Sequence, residues 1–184
     1  MRLLILVLAG VGLTVPLRRY IVEPIVVVSA SMEPALPVGA RFLADKLTPR
    51  LRPPKRGDIV LFTYPAGPPI GVGKRVIGVP GETLELRRKT VFVDGKPLAE
   101  PYAVHGSKRL DGDDLGPLFV PAGKVFVLGD NRDKSEDSAD WKERFVSVSS
   151  ITAIVRPYEI PDTSVIWTEL GQAVRSWRAT SKSS

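Results

Sequence analysis

Apolar positions along the 184-residue chain fall into three regimes. Leu3 to Val15 are almost continuously apolar, with Arg2 before them and Pro16, Leu17, Arg18, Arg19 and Tyr20 after. This run predicts an N-terminal membrane anchor over residues 1–17. At about 1.5 Å per residue it reaches roughly 20 Å, short of the roughly 30 Å hydrocarbon core, so it must thin the bilayer or borrow flanking residues. A cleaved signal peptide is the rival reading. It needs small residues three and one positions before the cut; Thr14-Val15-Pro16-Leu17-Arg18 has no such pair, and Val28-Ser29-Ala30 lies far downstream. A retained anchor is favoured.

Beyond residue 20, short apolar runs alternate with turn residues. Candidate strands are Ile21 to Ser29, Arg41 to Leu47, Asp58 to Tyr64, Gly71 to Val79, Thr83 to Arg88, Thr90 to Val93, Lys124 to Leu128 and Ile151 to Tyr158. Asp94-Gly95, set between Val91-Phe92-Val93 and Lys96-Pro97-Leu98, signals a tight hairpin. Ala99 to Gly123 reads as a long excursion between strands. The pattern predicts a mainly β domain over residues 18–161. In the last regime, residues 162–184, Ile166, Leu170, Ala173, Val174 and Trp177 fall at helical spacing with Arg175, Arg178 and Lys182 nearby. That is an amphipathic basic helix, suited either to a membrane interface or to docking on the domain, and both readings stand.

Composition narrows the chemistry. Seventeen prolines and sixteen glycines favour short strands and turns over long helices. There is no cysteine, hence no thiol nucleophile and no disulfide framework, and the one histidine, His105, sits in the excursion. A multi-histidine zinc site is excluded, and a Ser-His-Asp triad survives only if that imidazole is the base. The net charge of +6 is spread over Arg18-Arg19, Arg50 to Arg56, Arg87-Arg88-Lys89 and the C-terminal tail, without the aromatic-interleaved stripe that binds single strands. An anionic membrane surface is the preferred partner, and no nucleic acid is expected. Arg18 and Arg19 outweigh Arg2, so loop charge alone would leave the domain in the cytoplasm.

Beside a triad built on His105, a serine activated by lysine is the other candidate to weigh. A serine hydroxyl needs a neighbouring base, and lysine serves only when neutral, a state that burial among apolar groups and a nearby cation both favour. Lys74 has that neighbourhood: Ile70, Val72, Val76 and Ile77 flank it, and Arg75 follows on the opposite strand face. Lys46 and Lys124 are rivals that local pattern does not eliminate. Taken alone, Ser29-Ala30-Ser31 reads as a polar turn at a strand end. Asp130 to Asp140 alone reads as a solvated loop; it lacks the glycine and terminal glutamate of a calcium loop.

Four ordered segments change that balance. Ser29-Ala30-Ser31-Met32-Glu33-Pro34-Ala35-Leu36 resembles the Ser-x-Ser-Met-x-Pro-Thr-Leu box of type I signal peptidases, membrane-bound Ser/Lys endopeptidases. Arg56 to Phe62, Lys74 to Glu82 and Gly129 to Ser138 resemble that family's next three boxes, and the likeness spans roughly residues 19 to 158. It implies an antiparallel-sheet catalytic domain with Ser31 as nucleophile and Lys74 as general base. It implies an oxyanion site at the Ser31 N–H and Ser29 hydroxyl, with Ser135 orienting Lys74 and Asp130, Arg132, Asp137 and Arg75 bracing the site. Met32, Ile70 and Val72, with Ile25 to Val28, are expected pocket walls for small substrate side chains, and Phe62, Tyr64 and Pro65 an apolar rim at the membrane.

The resemblance further implies signal-peptide-bearing preproteins as substrates, a membrane lipid partner, no cofactor and no metal. It places the domain outside the cytoplasmic membrane on a single-pass anchor, against the loop charge. Ala139 stands where the family has an arginine, leaving Asp137 to find Arg144 or Arg75 as a substitute partner. Two other classes remain: a Ser/Lys self-cleaving regulator of related fold, and a catalytically silent membrane-anchored binding module.

Overall fold

A computed structural model describes residues 12, 14, 16–63, 71–88, 90–105 and 114–159, with backbone alone for 157–159. The predicted C-terminal helix, Ile70, Tyr64, Pro65 and nearly all of the predicted anchor lie outside these residues. Pro16 to Tyr20 are helical. Among the described residues no helix is long and apolar enough to cross a membrane.

Among the described residues the chain forms eleven strands: β1 (Val22–Val26), β2 (Arg41–Asp45), β3 (Ile59–Thr63), β4 (Gly71–Gly78), β5 (Thr83–Arg87), β6 (Thr90–Val93), β7 (Lys96–Pro97), β8 (Leu115–Phe119), β9 (Lys124–Leu128), β10 (Val146–Ser147) and β11 (Ile151–Glu159). A seven-stranded sheet runs β1-β2-β11-β3-β4-β9-β10, and a four-stranded sheet runs β7-β6-β5-β8, all with antiparallel pairing. All eight predicted strands are present, several shorter than their apolar runs. The Asp94-Gly95 hairpin forms, joining β6 to β7 with positive φ at both residues, the geometry of a primed turn. The excursion from Ala99 is not structureless: its second part, Leu115–Phe119, pairs with β5.

Alternation along β3 divides the core into two faces. Val60 and Phe62 join Val76, Val125, Val127, Val146, Ile151 and Ile154 on one side, while Ile59 joins Met32, Leu36, Phe42 and Val155 on the other. A third cluster, Ile77, Leu84, Leu86, Val91, Val120, Phe126 and Leu128, fuses the two sheets. Each such side chain contributes on the order of 1.5–3 kcal/mol when buried, so together the clusters fix β4 and β9 rigidly. Phe62 is part of that core, with Trp141 packed edge-on at 6.0 Å. It therefore forms no membrane-facing rim, a correction that follows from its even-numbered place on β3.

Candidate active site

The predicted nucleophile sits on a short turn after β1. Ser29 is extended and caps the 3-10 turn Ala30–Met32, its hydroxyl accepting from the Ser31 N–H at 3.3 Å. Met32 and Leu36 bury beneath the turn, so Ser31 is held at the surface of a packed cluster and is itself only 7% exposed. The turn packs against β4, the strand that carries Lys74.

Lys74 is 3% exposed and pairs across β3 with Val60, inside the apolar face. Its Nζ donates to Ser135 Oγ at 2.8 Å. Ser135 in turn donates to Asp137 Oδ2 at 2.5 Å. Asp137 also accepts from the Gly129 N–H at 2.9 Å and the Ala139 N–H at 3.2 Å. Its carboxylate is thus satisfied by two backbone donors and one hydroxyl. The expected substitution by Arg144 or Arg75 does not occur: Arg144 donates to the Ala139 carbonyl and Arg75 pairs with Asp130.

Gly129 is where the parts converge. Register sets Arg75 opposite Leu128, so the following Gly129 lies alongside Lys74. A Cβ on Gly129 would meet Ser135 Oγ at 2.2 Å and the Ser31 carbonyl at 2.6 Å, contacts no real Cβ makes. Glycine is required because Ser31 and Ser135 both crowd the position that a Cβ would take. Asn131 N–H donates to the Ser31 carbonyl at 3.1 Å, tying the turn to this loop.

The other bracing charges are paired, and all but the partly buried Arg75 are buried. Arg75 grips the fully buried Asp130 through Nε at 2.7 Å and Nη2 at 2.6 Å and donates to Gly57 O at 2.8 Å. Arg132 donates to Gly129 O at 3.0 Å and pairs with Glu100. Tyr102 donates to Glu100 at 3.2 Å and lies face-on to Arg75; burial, reinforced by Glu100, pushes its phenol up to about 12. Glu100 and Tyr102 escaped sequence reasoning, since their partners lie far away in the chain and a polar loop has no periodicity to read.

Beside Ser31 opens an apolar cavity of about 260 Å3 lined by Ile25, Val26, Val27, Val28, Met32 and Leu61, with Gly71 and Gly73 at its floor. Met32 and the β1 residues are as expected. Val72 is not a wall: it pairs with Phe62 and packs into the opposite core, because odd-numbered residues of β4 face the cavity. Leu61 takes that place. Of the rival lysines, Lys46 is bound to Glu23 and to the Arg18 carbonyl, and Lys124 begins β9; neither shares the environment of Lys74. His105 lies just beyond the Val104–Asn131 bridge.

The β scaffold thus sets a serine turn beside an apolar cleft and a buried lysine on the strand against which that turn packs, and the comparisons with known proteins identify this arrangement as that of a hydrolase. The family model described as "Signal peptidase, peptidase S26" matches residues 1–159. A signal peptidase I from Bacillus amyloliquefaciens is 38% identical over 139 residues, covering 72% of this chain and 71% of that protein. A probable signal peptidase I-1 from Synechocystis is 37% identical over 143 residues, covering 74% and 71%. The crystal structure of a signal peptidase I from Enterococcus faecalis has 33% identity and a TM-score of 0.49, covering 57% of this chain and 98% of that one. The chain belongs to the signal peptidase family, peptidase S26, a family of serine endopeptidases.

Proposed function

We propose that the protein is a membrane-bound endopeptidase that removes signal peptides from exported preproteins with Ser31 as nucleophile and Lys74 as general base. The observation that carries this reading is the buried Lys74 amine bonded to Ser135 at 2.8 Å, on the strand against which the Ser31 turn packs. Removal from water disfavours the ammonium form. Because the Ser135 proton is directed to Asp137, the Ser135 oxygen receives one amine hydrogen, which leaves the amine lone pair to take a proton from Ser31.

In the first half-reaction Ser31 Oγ attacks the scissile carbonyl carbon while its proton passes to Lys74 Nζ. The tetrahedral oxyanion is met by the Ser31 N–H and the Ser29 O–H, which lie together in the resting turn. Loss of one such donor typically costs about 2.7–4 kcal/mol of transition-state stabilisation. Lys74 then returns the proton to the leaving amine, the C–N bond breaks, and an ester to Ser31 remains. Water gives a proton to Lys74 and attacks the ester carbonyl, and Lys74 then passes that proton to Ser31 Oγ as the C–O bond breaks, which restores the hydroxyl and the neutral amine and releases the carboxyl product.

The cavity of about 260 Å3 suits small side chains of an extended peptide, and β1, at an end of the seven-stranded sheet, offers a strand to pair with it. Exposed Val26 and Val28 next to the cavity support a site at the membrane surface, replacing the role expected of Phe62. In this reading residues 1–17 anchor the chain, 18–161 form the peptidase domain outside the cytoplasmic membrane, and 162–184 lie at the interface. No cofactor, metal or nucleic acid enters the reaction. Incubation of purified preprotein with wild-type chain, Ser31→Ala and Lys74→Ala, all shown folded by circular dichroism, tests it. Cleavage after a small-x-small motif should fall at least about 10³-fold in both variants. Cleavage retained by either, or absent from wild type, would overturn the assignment and favour a silent binding module.

A further inference from the structure

The chain leaving β7 returns to the active-site loop as a strap. Val104 N–H donates to Asp130 O at 2.8 Å, and the Val104 carbonyl accepts from Arg132 N–H at 3.0 Å, forming a parallel bridge at Asn131. Two side chains of the strap reach the bracing charges. The Glu100 carboxylate sits on the Arg132 guanidinium, both side chains nearly sealed from water at 6% and 5% exposure. The Tyr102 ring centroid lies 4.1 Å from Arg75 Cζ, covering the face of a guanidinium whose edge is occupied by Asp130 and Gly57. With its phenol pushed up to about 12, Tyr102 stays protonated and keeps donating to Glu100 at any neutral working pH.

The contacts touch both halves of the dyad. Arg75 follows Lys74 on β4, and Asn131, between the two paired loop residues, holds the Ser31 carbonyl. Desolvated ion pairs rearrange when a neighbour is lost, since the uncompensated charge seeks water. We propose that Glu100 and Tyr102 are positioning residues for the peptidase reaction: the ring backs the Arg75–Asp130 pair, the carboxylate holds Arg132, and the strap thereby keeps the lysine strand and the serine turn in register. The inference rests on the peptidase reading above. A displaced pair of reacting groups slows the chemical step, whereas substrate binding in the cavity, lined by other residues, stays intact.

The test compares wild type, Tyr102→Leu, Tyr102→Phe and Glu100→Gln as full chains in detergent, with a peptide carrying small residues ahead of the scissile bond. Melting temperatures confirm that each is folded at the assay temperature. Tyr102→Leu should lower kcat by about tenfold or more with KM within about twofold, and Tyr102→Phe, which keeps the aromatic face, should stay within about threefold of wild type. Glu100→Gln should also lose kcat at unchanged KM. A lowered melting temperature with wild-type kcat in Tyr102→Leu, or equal loss in the Phe variant, would overturn the proposal. If Tyr102→Leu does not fold, Glu100→Gln decides, and wild-type kcat there overturns it. An inactive wild type defeats the peptidase reading itself; an active wild type with an equally active Tyr102→Leu defeats this inference alone.

Discussion

Ser135 meets Lys74 as an acceptor: the amine donates to its oxygen at 2.8 Å while its own proton goes to Asp137. Ser135→Ala removes that acceptor and leaves both the amine and the carboxylate short of a partner. A buried hydrogen bond left unmade costs about 1–3 kcal/mol. If that cost falls on amine placement, kcat drops about 10- to 100-fold. Steady-state kinetics of Ser135→Ala, with kcat expected to fall and KM to hold, check it; unchanged kcat would show that Lys74 is oriented by other contacts.

Gly129→Ala places a methyl 2.2 Å from Ser135 Oγ and 2.6 Å from the Ser31 carbonyl. Neither neighbour can move without disturbing the proposed Ser31–Lys74 dyad. Overpacking of this kind costs about 1–3 kcal/mol, and here it should also abolish measurable cleavage. Urea unfolding and a cleavage assay on the same preparation separate the two effects.

Pocket size should set selectivity. Leu61 is the large apolar wall that faces Gly73, with the glycine's missing Cβ position 3.4 Å from Leu61 Cδ2. Leu61→Ala should admit larger side chains before the scissile bond, raising relative kcat/KM for a leucine- over an alanine-bearing peptide by several-fold, about the value of one to two methylenes. An unchanged ratio between the two peptides would remove Leu61 from the pocket.

Asp45 makes one part of stability pH-dependent. Burial by itself raises its pKa, but the Thr48 N–H at 2.9 Å, Thr48 hydroxyl at 2.7 Å, Arg156 at 2.6 Å and Leu47 N–H at 3.0 Å overcome this and hold the carboxyl at about 2. A folded pKa below the usual 3.8 stabilises the fold above that value, and the contribution is lost as pH falls from about 4 toward 2. Asp45→Asn should unfold at lower urea than wild type at pH 7, with the gap closing toward pH 2. A gap independent of pH would contradict the assignment.

Much of this molecule was legible because its strands are apolar runs cut by turn residues, and because Asp94-Gly95 permits little except a hairpin. Leu115–Phe119 escaped because Gly116-Pro117 interrupts the run; in the structure Gly116 takes φ +110, leaving no room for a Cβ against the Leu84 carbonyl. Val146–Ser147 is too short to carry a period. At the site, Ser31, Lys74, Ser135 and Asp137 were placed by their sequence boxes and do cluster. Val72 was misplaced although strand alternation already put it on the face opposite Gly73. Glu100 and Tyr102 were invisible because their role depends on a return of the chain to Arg132 and Arg75 that no local pattern encodes.

The central claim, attack by Ser31 under general-base control by Lys74, is tested most directly by trapping the ester. Wild-type chain mixed with a small-x-small peptide and quenched in acid within the first turnover should show, by mass spectrometry of its digest, the acyl half of the peptide attached to Ser31. Lys74→Ala should show none over the same interval. An acyl group on any other residue, or peptide cleavage by Ser31→Ala at the wild-type rate, would contradict the account.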